Sequence, residues 1–222
     1  IWEGLTSETE TLSRRIYLKI LTDQLTRYEV GILNALDGVV AISDEDARAF
    51  HDLGCQIPMH VTPFGYDDSD LPAPDTKLPD HVFHFGAMDW SPNKEGVRWL
   101  QEAVWPRVLA KRPNSQLVLA GRNFPSDWPK TDGVHVLGEV DDPWSMLNRN
   151  GIMTIPLHAG SGIRIKAIEG LATGRPIVST PLGMEGLDLE PGVHYLQANT
   201  AEDFAKGLIQ LLDEPSSALE MG

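Results

Sequence analysis

The sequence predicts an α/β protein built on a doubly wound, Rossmann-like parallel sheet. Two observations carry this. From residue 81 onward, short runs of β-branched and aromatic residues alternate with longer stretches whose apolar positions recur every three or four residues. That alternation places helices on both faces of a parallel sheet. The second observation is a glycine-rich turn, HAGSG at 158–162, set where a strand gives way to a helix, at the end of the sheet where such folds hold ligands.

Each element has its own warrant. Residues 10–36 place Leu12, Ile16, Ile20, Leu21, Leu25, Tyr28, Ile32 and Leu36 at helical steps, predicting a long amphipathic helix. GVVAIS (38–43) reads as a short strand, and SDEDARAFHDLG (43–54) as a helix capped by Ser43 and closed by Gly54. MHVTPFG (59–65) is another strand, and YDDSDLPAPDTKLPD (66–80), rich in Pro and Asp and without periodicity, reads as a linker. Strands are then expected at 81–87, 115–121, 134–140, 151–157, 176–180 and 193–198, and helices at 93–112, 142–150, 163–174 and 201–214. The expected organisation is a first unit at 1–65, a linker at 66–80 and a ligand-binding domain at 81–222.

Composition narrows the partners. With 41% hydrophobic and 23% charged residues the chain can bury an ordinary globular core. A formal charge of -14 argues against nucleic acid or an anionic membrane surface as the main partner, although a small anion can bind where a few basic residues converge. Cys55 is the single cysteine, so an intrachain disulfide is excluded and a structural zinc site is not expected. No apolar run reaches the roughly 20 residues of a membrane-spanning helix. The chain starts at Ile1 and enters a helical pattern within a dozen residues, so its true start is expected upstream.

In a doubly wound sheet the ligand lies beyond the carboxyl ends of the strands, which makes 86–94, 121–128, 158–162 and 181–186 the candidate loops. In HAGSGIRIKAIEG, Gly160 and Gly162 let the backbone approach a ligand closely, and the following helix start turns its free N–H groups toward it. Arg164 and Lys166 add two charges, a combination that suits a diphosphate. On the helix wheel Ile163, Ile165, Ala167, Ile168, Leu171 and Ala172 face the sheet, and Lys166, Glu169 and Thr173 lie opposite. Arg164 falls in the apolar sector, so either it turns to solvent at the helix end or an anion sits beside it. The plain alternative is an ordinary strand–turn–helix with a surface Lys166–Glu169 pair. Neither GxxxxGK[ST] nor GxGxxG is present, which weakens simple ATPase and dehydrogenase readings.

Other candidates have structural explanations. The triplet Asp44-Glu45-Asp46 fits a helix cap and Asp68-Ser69-Asp70 lies in the linker, so no metal site is expected at either. His81 and His84 point to opposite faces of one strand and cannot chelate one ion; His84 reads as a packed core residue unless it faces a ligand loop. His158, beside the glycine turn, is the most plausible functional histidine. Trp99 and Trp105 read as packing, as does Trp90, although Trp90 lies on a ligand-facing loop; Glu185 lies on another.

The ordered set of segments resembles the GT-B glycosyltransferases of family 4, often called group 1. FHFGAMDWSPNKEGVRWL is similar to the opening strand, turn and helix of that family's nucleotide-binding C-terminal domain; QLVLAG and VHVLGEVDD resemble the next two strands, and GSGIRIKAIEGLATGRPIVSTPLGMEGL the donor segment. DGVVAISDEDARAFHDLG and HVTPFGYD resemble the end of the N-terminal domain and the crossover, which implies a truncated part of a second Rossmann-like domain. The resemblance implies a retaining, metal-independent transfer from a nucleotide-diphosphate sugar to a saccharide or glycolipid acceptor, with no separate cofactor. By it Glu169 holds the ribose hydroxyls, Arg164 and Lys166 neutralise the departing diphosphate, and Gly86, Lys94, His158, Gly160, Ser161, Gly162 and Glu185 line the donor. This chain departs from the family pattern in two places. Ser161 stands where the family has the first glutamate of its Glu-x7-Glu motif, and Met88 stands near the usual arginine, with Lys94 a candidate for the usual lysine. The resemblance further implies a role in bacterial surface polysaccharide synthesis, a cytoplasmic site at the inner membrane face, and a donor-binding piece that transfers poorly by itself. A GT-B sugar-nucleotide epimerase and a non-catalytic nucleotide-sugar sensor remain as alternatives.

Overall fold

The computed structural model describes residues 12–67, 69, 71, 80–160 and 162–222. They divide into two compact units, one of the described residues up to Phe64 with 162–163, the other of the described residues of 65–160 with 164–222.

The first unit opens with helix α1 (Leu12–Leu33). A two-stranded parallel sheet pairs β1 (Val39–Ala41) with β2 (Met59–Val61), and helix α2 (Asp44–Asp52) connects them. Ser43 caps α2 reciprocally with Asp46: the Asp46 N–H donates to Ser43 Oγ (3.0 Å) and the Ser43 hydroxyl donates to Asp46 Oδ2 (2.8 Å). The first acidic triplet is thereby committed to a cap, while Asp68 and Asp70 of the second lie outside the described residues. The stripe expected to be the buried face of α1 is different in the structure. Leu12, Ile16, Ile20, Tyr28, Ile32 and Leu36 are exposed, and Leu18 and Leu33 are the buried positions. A helix about 33 Å long cannot be covered by two three-residue strands and one short helix.

The second unit is a six-stranded parallel sheet of β3 (His81–Phe85), β4 (Gln116–Ala120), β5 (Val134–Gly138), β6 (Ile152–Ile155), β7 (Ile177–Ser179) and β8 (Leu196–Gln197), in the order β5-β4-β3-β6-β7-β8. Successive strand residues serve opposite faces. Val82, Ile152 and Val178 join one apolar core, and their neighbours Phe83, Met153 and Ile177 join the other. Helices α3 (Ser91–Trp99), α4 (Trp105–Leu109) and α7 (Ala201–Asp213) accompany the first core. The second core is closed by α5 (Pro143–Arg149) and α6 (Ile165–Ala172). A short α8 (Pro215–Met221) ends the chain.

Three predicted elements differ in detail. The single helix expected over 93–112 is interrupted by a π-helical turn, Leu100–Val104, where the Trp105 N–H bonds Leu100 O. Pro106 is the physical reason: it lacks an N–H and its ring crowds the carbonyl four residues back, so one extra residue is inserted ahead of it. The strand expected over 193–198 shrinks to two residues because 190–195 form a turn, with the His194 N–H on Glu190 O (3.0 Å) and the Gly192 N–H on Tyr195 O (2.7 Å). Helix α6 starts at Ile165 and not at 163. Ile165 is therefore exposed, and Ala167 and Gly170 press on the sheet.

Close packing at small residues gives a stability prediction. A Cβ on Gly96 would lie 2.2 Å from the Pro156 carbonyl oxygen, a backbone atom that cannot swing aside. Gly96→Ala is expected to destabilise the second unit by about 1–3 kcal/mol through overpacking, read as a lower urea midpoint at unchanged slope.

Candidate active site

Strand order reverses between β3 and β6, so the loops after these two strands open the crevice in which doubly wound sheets bind ligands. A neighbouring cleft of about 310 Å³ runs along the ends of β3, β4 and β5, past Phe85, Gly86, Gly121, Arg122, Glu139 and Val140. The backbones after β3 and β4 touch here. Gly121 has φ 140°, and a Cβ on it would lie 2.0 Å from Gly86 O, so glycine is required.

Lys166, in the first turn of α6, reaches back to the β3 turn. Its Nζ donates to Asn93 Oδ1 (2.7 Å), and Asn93 Nδ2 donates to Ala87 O (3.0 Å). A Cβ on Gly86 would stand 2.5 Å from Lys166 Nζ, 2.8 Å from Asn93 Nδ2 and 3.1 Å from His84 Nε2. Gly86 is thus the space that lets the lysine head reach the turn. Burial and the neighbouring Arg164 charge push the Lys166 pKa down to about 7, against the pull of Glu169. The surface Lys166–Glu169 pair is replaced by a lysine–asparagine pair.

His84 lies beneath this group and is fully buried. Its Nδ1–H donates to Thr154 O (3.0 Å), and its Nε2 has no partner. Burial, helped by Lys166, pushes its pKa well below the ordinary value near 6.5, so the ring is neutral and Nε2 is a bare acceptor. The unfolded chain binds a proton here that the native chain refuses. Stability contributed by His84 is therefore present above about pH 6.5 and is lost as pH falls below it. The His84→Gln variant is expected to flatten the acid limb of a urea-midpoint profile between about pH 4 and 6.5.

Arg164 is the N-cap of α6; its guanidinium has no acceptor with which to cap the helix, and the Ala167 N–H is taken up by Arg164 O (2.8 Å). Only 5% exposed, its guanidinium lies 5.7 Å from the centre of the Trp90 ring. Arg164 does not turn into solvent at the helix end. Burial lowers its pKa, and the exposed Glu185 carboxylate, just after the 3-10 turn Pro181–Met184, opposes that shift. Gly160, at φ 107°, presses on the same indole; a Cβ there would lie 2.9 Å from Trp90. Trp90 therefore belongs to the charged cluster as well as to the core.

Glu169 points elsewhere. Its Oε1 accepts the Tyr66 hydroxyl (2.9 Å), and the Tyr66 ring meets Trp144 edge-on at 5.0 Å. Burial, the bond to Glu169 and its charge push the Tyr66 pKa up to about 12. Sequence reasoning placed Tyr66 in a linker without a role. Asn93, not among the candidates the sequence offers, is the side chain that meets Lys166. Lys94 stands half-buried on the opening turn of α3. His158 packs edge-on against Trp99 at 4.5 Å, which in turn meets Phe204, and burial lowers its pKa. Gly162 has φ 87° and belongs to the short 161–163 stretch of the first unit; Ser161 lies outside the described residues. Among the described residues no group of three His, Cys, Asp or Glu is arranged to hold a metal ion. Nor is any helix long and apolar enough to cross a membrane.

The sequence of residues 79–214 matches the family described as glycosyl transferases group 1, over more than half of the chain. The chain belongs to that family. It is 24% identical over 224 residues to an uncharacterized 44.6 kDa protein in the cps region of Klebsiella pneumoniae, covering 94% of this chain and 55% of that protein. Among solved structures it superposes on TarM (TM-score 0.72, 15% identity, 88% of this chain and 40% of that one). It also superposes on Anabaena HepE in complex with UDP and glucose (TM-score 0.69, 17% identity, 88% of this chain and 59% of that one). These likenesses establish a GT-B type α/β fold. The chain spans about half the length of the proteins it matches.

Proposed function

We propose that this group 1 glycosyltransferase chain binds a nucleotide-diphosphate sugar at the β3–β6 crevice, as a family 4 enzyme that transfers with retention and without a metal ion. The observation that carries the reading is the cluster of Lys166, Arg164, Gly86 and Gly160 at the start of α6. Two cations, two glycines and a helix start without a side-chain cap all favour a bound diphosphate. Stabilising the departing diphosphate is where a transferase without metal places its electrostatic effort. Glu169, steadied by Tyr66, is assigned the ribose hydroxyls, and the cleft by Glu139 and Val140 the base. Glu185 tempers the charge of Arg164. A saccharide or glycolipid acceptor, used in surface polysaccharide synthesis, fits the cps-region relative.

Calorimetric titration with UDP, GDP, ADP and CMP tests the reading. One nucleoside diphosphate is expected to bind selectively and more tightly than CMP, which lacks the second phosphate. A folded sample that binds none of the diphosphates overturns it.

Lys166 gives the binding a pH signature. A diphosphate beside Nζ favours the ammonium form, so above about pH 7 the complex holds more protons than the protein and nucleotide apart. Affinity is therefore expected to fall as pH rises from 7 to 9, by at most about tenfold per unit, and Lys166→Met is expected to lower affinity and remove the slope. Titration in two buffers of different ionisation enthalpy measures the proton uptake directly.

A further inference from the structure

We propose that Asn93 is a positioning residue that holds the Lys166 ammonium against the Gly86 turn, oriented for the diphosphate but not neutralised; the inference rests on the donor-site reading above. Asn93 is 5% exposed, and a buried amide must satisfy both of its ends. It does so by joining two elements: Oδ1 receives Lys166 Nζ from α6 (2.7 Å), and Nδ2 donates to Ala87 O in the turn after β3 (3.0 Å). A lysine stem has four rotatable carbons and gives up much rotamer freedom when fixed, so an unanchored Nζ would rarely sit at the turn.

The choice of an amide has a chemical consequence. A carboxylate at position 93 would form an ion pair with Lys166 and compete with an incoming phosphate for the same charge. The asparagine oxygen orients the ammonium without supplying a counter-charge that an incoming phosphate would have to displace. The rest of the surroundings agree. From β3, His84 presents the neutral Nε2, without a proton and without a partner, 3.1 Å from the Gly86 Cβ position that lies 2.5 Å from Nζ. Arg164 at the N-cap adds a like charge, and Glu169 on α6, whose charge acts on Lys166, spends an oxygen on Tyr66. Lys166 is thus held by a neutral acceptor, Asn93 Oδ1, at the mouth of a glycine turn.

The test is calorimetric titration of the protein with whichever nucleoside diphosphate it binds, over about pH 6–9, for the parent, Asn93→Ala, Asn93→Asp, Lys166→Met and the Asn93→Ala/Lys166→Met pair. Asn93→Ala is expected to weaken binding about tenfold, the effect of freeing a charged hydrogen-bonding group, and to add nothing once Lys166 is methionine. Asn93→Asp is nearly isosteric and keeps the fold if the alanine does not. It is expected to weaken binding at pH 7 and to move the fall of affinity to higher pH, because its carboxylate holds the lysine proton. Unchanged affinity in Asn93→Ala, an alanine effect that persists in full in the Lys166→Met background, or an Asn93→Asp profile that does not move would overturn the inference while parental binding keeps the donor site standing. If the parent binds no diphosphate, the donor-site reading falls and the inference falls with it.

Discussion

Trp105→Ala is expected to destabilise the sheet-bearing unit by about 3–5 kcal/mol, a large part of the stability of a domain this size. The side chain is fully buried in the core with Val82, Leu100, Val108 and Leu117, and its Nε1 donates to Asp132 O (3.2 Å). Its position is enforced twice, since the π-helical turn sets where residue 105 points and Pro106 prevents the helix from rewinding to a regular register. A cavity left here cannot collapse readily, which puts the loss at the upper part of the range for large-to-small substitutions. Trp105→Phe keeps most of the ring and forfeits the bond to Asp132, so its cost is expected to be near 1–2 kcal/mol. Urea unfolding followed by near-ultraviolet circular dichroism separates the two. Equal midpoints for the alanine variant and the parent would show that this core does not carry the unit.

The order of elements in this unit was readable because each strand and helix writes a different period, and the alternation at Val82/Phe83 or Ile177/Val178 shows directly as two cores. Less was readable where a local signal has two outcomes. Pro106 inside an apolar repeat can end a helix, kink it or force a π turn, and the choice follows from the packing of Trp105. In α1 the apolar repeat correctly marks a helix, yet periodicity says nothing about whether a partner covers the stripe. The charged turn is a mixed case. Arg164, Lys166, Gly86 and Gly160 stood out by residue type beside a strand end, whereas Asn93 and Tyr66 are ordinary residues whose importance comes from one contact each, across 73 and 103 positions of sequence. Only the sheet order, which sets β3 beside β6, brings Asn93 to Lys166. Asn93 stands next to Lys94 in sequence, and charge alone pointed to the lysine.

On the proposed transferase reading, Arg164→Ala is expected to weaken nucleoside diphosphate binding by about 10- to 100-fold, the loss of a charge-assisted contact to an anion, and to slow release of the nucleotide from the donor sugar by more, about 10²–10³-fold. The inequality is the informative part. A group that met the sugar nucleotide and the transition state equally would change affinity and rate together, whereas one that meets charge developing on the leaving oxygen lowers kcat beyond its effect on binding. The geometry favours the second case. Arg164 is buried at the helix start with its guanidinium carbon 5.7 Å from the centre of the Trp90 ring, so it has little reorganisation to make when charge appears. Arg164→Lys should fail to restore the rate, because an ammonium lacks both the planar face that lies over the indole and the forked pair of donors. Trp90→Leu should show a weaker form of the same defect, since it leaves the guanidinium in place without the ring that orients it. Calorimetry for affinity and a coupled assay for nucleotide release supply both quantities on the same samples. Equal losses in the two would reduce Arg164 to a binding contact, and losses under twofold in both would remove it from the site.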